Sequence, residues 1–129
     1  MKNIINTTFD NYQIHVNHFN LERIKKYLGN DTIAIKEILL IVVADIKLSS
    51  KKIEHCIFTK NINEIKNIAH NLYGTCATIG LENLSKIARK IEQEQVFDDI
   101  AYYQLLKKLK SEISICTNLI HNYIYMDSF

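Results

Sequence analysis

His70 sits at the head of the stretch HNLYGTCATIGLENLSKIARKIE, residues 70–92, and its chemistry follows from what surrounds it at helical spacing. If Leu72 marks the core direction of a helix with 3.6 residues per turn, Ile65, Ile68, Ala69, Cys76 and Ile79 fall on its side. His70 then points nearly opposite, toward water. Gly74 lies on the same outer face one turn on, and Ala77 two turns on. A glycine inside a helix costs about 1 kcal/mol relative to alanine, so an exposed one implies that something needs the room. The simplest such thing is a partner or ligand that comes close to the imidazole. A neutral imidazole is a good nucleophile, and its ordinary pKa of about 6.5 leaves much of it neutral near pH 7. Lys66, one turn before His70, is either a plain solvated lysine or a cation whose ammonium reaches an anion held on the ring.

Other candidate chemistry is thinner. His15 and His18 have the i, i+3 spacing that places two metal ligands on one helix face, but the sequence around them is poorly patterned and offers no cysteine or carboxylate pair. No metal site is assigned. His55 and His121 stand alone. No Ser-His-Asp or Cys-His arrangement can be traced, and there is no glycine-rich phosphate loop. Hydrolytic and nucleotide-dependent reactions are therefore not expected.

The elements that must position His70 can be read in chain order. Residues 1–18 are rich in Asn and Thr with weak periodicity, and read as an extended or loosely docked lead-in to a helical domain over 19–126. Leu21, Ile24 and Leu28 form one face of a short helix that ends at Gly29. Asn30, Asp31 and Thr32 offer N-cap side chains for a long second helix, Thr32 to Phe58, with Ile35, Ile38, Leu39, Val42, Ile46, Ile53 and Cys56 as its buried stripe. Asn61 with Glu64 opens a third helix, Ile62 to Ile79, which carries His70 and stops at Gly80. A fourth follows almost at once with Leu84, Ile87, Ala88 and Ile91 on one face. Asp98 and Asp99 can cap a last helix whose stripe is Tyr102, Leu105, Leu109, Ile113, Cys116, Ile120 and Tyr123, and the tail MDSF is expected to fray. Four long amphipathic helices with short connections bury their stripes only against one another. The expected fold is all-α: an antiparallel up-down-up-down four-helix bundle, one end capped by the short first helix.

Composition agrees with that reading and closes off others. A chain of 129 residues with 47% hydrophobic and 23% charged content is sized and balanced for one globular domain. With no proline and only 3 glycines, interruptions are few and long helices are favoured over a many-turned β fold. A net charge of +2, with its lysines scattered, argues against a nucleic-acid partner. Cys56, Cys76 and Cys116 are odd in number, far apart and on expected core faces, which points to free thiols in a reducing cytoplasm. No signal-like apolar region opens the chain, and the run Ile38 to Ala44 is far shorter than the ~20 residues that span a bilayer. A monomer without membrane attachment is expected, and a full set of helices behind a start methionine suits a stand-alone protein.

His70, Leu72, Gly74, Gly80, Leu84, Ala88 and Glu92 together resemble the signature of histidine phosphotransfer (HPt) domains. That signature runs His, apolar, Lys, Gly, a small-residue stretch to a second Gly, then Leu, Ala or Cys, and Glu. The resemblance implies that His70 accepts a phosphoryl group from a receiver-domain aspartate and passes it to another receiver. The chain would be a phosphoryl carrier without autonomous catalysis, served by a hybrid histidine kinase and response-regulator receiver domains. No cofactor of its own is implied, because the acidic pocket and divalent ion belong to the receiver. Tyr73 departs from the pattern, standing where the family usually has lysine. That departure makes a receiver-binding adaptor or decoy the alternative, and directs attention to Lys66, Tyr73, Gly74 and Ala77 as the residues beside the phosphate or the partner. Glu92 and Gly80 are expected to be architectural.

Overall fold

The computed structural model describes residues 16–126; the first part of the lead-in with His15, and the tail after Met126, lie outside the described residues. The described chain forms α-helices and no strands: α1 (Leu21–Leu28), α2 (Thr32–Phe58), α3 (Ile62–Ile79), α4 (Glu82–Gln93) and α5 (Asp99–Met126). No helix among the described residues is long and apolar enough to cross a membrane.

The helix starts come from side chains that satisfy otherwise unpaired N–H groups. Asn20 accepts from the Arg23 amide, Asp31 from Ala34 and Asn61 from Glu64, each through its side-chain oxygen. Asp98 accepts from both Ile100 and Ala101. Gly29 and Gly80 take the positive φ that closes α1 and α3. At Gly80 the requirement is double. Its φ is +89°, and an added Cβ would stand 2.5 Å from the backbone oxygen of Asn20. The Asn20 amide also donates to the Gly80 carbonyl at 2.9 Å. The entry to α1 is thus seated on the α3–α4 turn.

α2 packs on α3, α3 on α4, α4 on α5 and α5 on α2, closing a ring, with α1 laid against α2 and α3. The core holds the expected stripes, including Ile35, Leu39, Ile46, Ile53, Ile65, Leu72, Leu84, Ile91, Leu109 and Ile120. Some positions differ from the periodic reading. Ile38, Ile68, Ile87, Leu105 and Tyr123 are only half-buried, whereas Val43, Ile57, Leu81, Leu106 and Ile124 are buried. Each helix of a closed ring faces two neighbours, so its covered sector is wider than one stripe and can be rotated by a residue. All three cysteines are free and buried. Burial pushes the Cys76 thiol up to about 12 and raises Cys116 further, the latter with help from Glu112, so neither is a thiolate nucleophile at neutral pH.

Candidate functional site

α3 turns its apolar side, Ile65, Ala69, Leu72, Cys76 and Ile79, into the core, which leaves His70 on the open side with 65% of its side chain exposed. α4 returns beside α3 and brings Glu92 to it. His70 Nδ1 lies 2.7 Å from Glu92 Oε2. A carboxylate can only accept, so Nδ1 carries the proton and donates it to Glu92, and the lone pair of the neutral ring is on Nε2. The pair therefore fixes the tautomer and aims the ring, with the nucleophilic nitrogen on the side away from the carboxylate. Glu92 is the residue whose role spacing alone does not give: it ends the motif, and only the return of α4 shows that it touches the histidine.

Gly74 is exposed, and a Cβ built on it would meet nothing within 4 Å. The fold does not need glycine there. The missing side chain instead keeps the surface beside His70 low. Ala77 is half-buried and shares a shallow groove with Tyr73, Gly80 and Arg23 under the entry to α1. Lys66 is half-buried and forms no ion pair among the described residues, and no hydrogen bond joins it to His70.

Tyr73 is half-buried one turn from His70, and the Arg89 guanidinium of α4 lies over its ring at 4.8 Å from the centroid. Arg89 Nη1 is also 3.9 Å from Glu92 Oε1. Sequence reading missed Arg89 because a lone arginine on a polar helix face resembles any solvated charge. Its spacing to Glu92, i to i+3, was the available signal. His18, the weak metal candidate, is bound elsewhere: its Nδ1 is 2.5 Å from Glu112 Oε2, with the Asn83 amide nitrogen at 3.3 Å. The described residues contain no cluster of three or more metal-ligating side chains.

The site is an exposed histidine, oriented by a carboxylate, on one helix of an all-helical ring. The family model of the Hpt domain matches residues 42–114, more than half of the chain, and the chain belongs to that family. Hpt domains act in two-component phosphorelays, where they interact with receiver domains of response regulators and kinases, so this is a phosphotransfer signalling protein. No curated protein and no solved structure matches the chain.

Proposed function

We propose that His70 accepts a phosphoryl group from a receiver-domain aspartate and returns it to the aspartate of a second receiver, with a hybrid histidine kinase as the upstream source. The observation that carries this reading is the exposed ring with its Nδ1–H held by Glu92. The Nε2 lone pair attacks phosphorus; the bond from phosphorus to the aspartyl oxygen breaks, its electron pair leaving on the carboxylate. The new N–P bond makes the ring an imidazolium, whose positive charge rests against Glu92. Such transfer is mainly alignment and charge neutralisation, so the chain acts as a carrier without catalysis of its own, and a divalent ion is expected on the receiver. Glu92 is a positioning residue, and Gly74 keeps the approach open.

The cavity lined by residues from Lys90 to Lys108 does not include His70, which favours a protein surface over a pocketed small molecule as the reactant. The finer architecture belongs to the same reading: short connections at Thr59–Asn61 and Gly80–Leu81 support an antiparallel up-down-up-down arrangement with α1 across one end. A cytoplasmic monomer completes it.

The test is incubation with a phosphorylated receiver domain. Acid-labile phosphate should appear on the wild-type chain and be absent from His70→Gln. Stable receiver binding with no phosphate on the chain would replace the reading with that of an adaptor.

A further inference from the structure

Arg89 stands on α4 against two neighbours of the phosphoacceptor, the ring of Tyr73 and the carboxylate of Glu92, at a distance from the latter that leaves its N–H donors open. Its guanidinium rests on the face of Tyr73, 4.8 Å from the ring centroid, where the negative π cloud attracts a cation. The nearest anion is Glu92 Oε1 at 3.9 Å, beyond hydrogen-bond range. That oxygen is buried with no hydrogen-bond partner, while the other oxygen of the same carboxylate takes the His70 proton. One carboxylate thus separates the cation from the ring. A guanidinium has five N–H donors and pairs with phosphate oxygens through two at once. The face of Tyr73 orders a long side chain that would otherwise lose rotamer freedom on binding.

A phosphoryl group on Nε2 brings three acceptor oxygens and nearly two negative charges to this spot. The charged and titratable groups that lie one turn from His70 on its own helix, or that touch those residues or His70 from α4, are Lys66 and Tyr73 on α3, and Arg89 and Glu92 on α4. Tyr73 supplies at most a neutral hydrogen bond, and Glu92 repels. Lys66 has the charge but no ion pair among the described residues that orients it. From this arrangement we infer that Arg89, presented by the ring of Tyr73, is the cation that binds the phosphoryl group on His70. Tyr73 acts as its platform. On phosphorylation the guanidinium leaves the vicinity of Glu92 Oε1 for the phosphoryl oxygens, and Glu92 keeps the Nδ1 proton. The inference rests on the phosphoacceptor reading of His70.

The test is phosphorus NMR of the full chain phosphorylated with phosphoramidate, titrated with pH. A cation against the phosphoryl group favours its dianion and lowers its titration midpoint. Arg89→Gln should raise that midpoint by about half a unit, Arg89→Lys should recover most of the shift, and Tyr73→Leu should give an intermediate value. Lys66→Gln should move it less than Arg89→Gln does. Circular dichroism checks that each variant is folded, which substitutions at these exposed and half-buried positions on α3 and α4 should leave intact. A phosphohistidine signal that depends on His70 but keeps its midpoint in Arg89→Gln would overturn the role of Arg89 alone. A midpoint that moves only in Lys66→Gln would do the same and assign the cation to Lys66. Absence of a His70-dependent signal in the wild type would overturn both this inference and the phosphoacceptor reading.

Discussion

The described residues contain two histidine–glutamate pairs of similar length, His18–Glu112 at 2.5 Å and His70–Glu92 at 2.7 Å, placed in opposite surroundings. In the first pair the side chains are 23% and 8% exposed; in the second they are 65% and 24% exposed. Glu112 lies within the ring of helices beside Cys116, whose thiol donates to the His18 carbonyl and to the Glu112 carboxylate. Together with the Asn83 amide, which donates to the Asn17 carbonyl, it fastens the turn before α1 onto α4 and α5. The exposed pair fastens nothing over a long range. It joins two helices already packed together and leaves one ring nitrogen open. The same hydrogen bond is a tether where it is largely shielded from water and, on the proposed function, holds the reacting ring where water and a partner have access, because low dielectric strengthens it and exposure leaves it free to exchange.

That contrast predicts different losses on removing the carboxylate. Glu112→Ala should destabilise the fold by about 2–3 kcal/mol, somewhat less than a fully buried pair because His18 keeps partial contact with water. Urea unfolding at neutral pH measures it, and phosphate uptake by the folded protein should be unchanged. A loss below about 0.5 kcal/mol, the level of a surface pair, would erase the distinction.

Glu92→Ala should do the reverse: unfolding near that of the wild type, and phosphate uptake slowed about tenfold because the ring loses a charge-assisted hydrogen bond. Stopped transfer from a labelled receiver, read alongside the unfolding curve, separates the two effects. A variant that unfolds readily yet transfers at the normal rate would mean that Glu92 is structural after all.

The two regions can also be compared through their glycines. Gly80→Ala places a Cβ against the Asn20 carbonyl at a left-handed position and should cost about 2 kcal/mol. Gly74→Ala fills open space on a helix and should stabilise by about 0.5–1 kcal/mol. Gly74→Leu should also fold, yet slow transfer from a receiver while leaving uptake from phosphoramidate intact. Thermal melts order the first two variants, and equal rates from both donors in the third would show that the surface beside His70 is not the contact face.

Much of the scaffold could be read from local chemistry. Asn61 capping Glu64, Asp31 and Asp98 at their helix starts, and Gly29 and Gly80 at helix ends are each decided within a few residues, and the structure has them in those roles. The outward direction of His70 follows from helical period and the inward pull of Leu72, which is 3% exposed. Placement across helices was harder. Leu106 rather than Leu105 is buried on α5 because α2 and α4 both press on that helix. Leu81 is fully buried although it lies in a connection, since α1 folds over that turn.

What the sequence by itself determined is therefore the set of helices, their caps and the exposed histidine, because each depends on neighbours within one or two turns. What only the tertiary structure decided is which side chains meet: Glu92 on His70 across 22 residues, Arg89 over Tyr73, and Glu112 on His18 across 94 residues. A carboxylate or guanidinium on a polar helix face looks the same in sequence whether it meets water or an imidazole. The packing of α3 against α4, and of the α1 entry against α5, fixes the partner because it alone sets the distance at which charge and hydrogen bonding act.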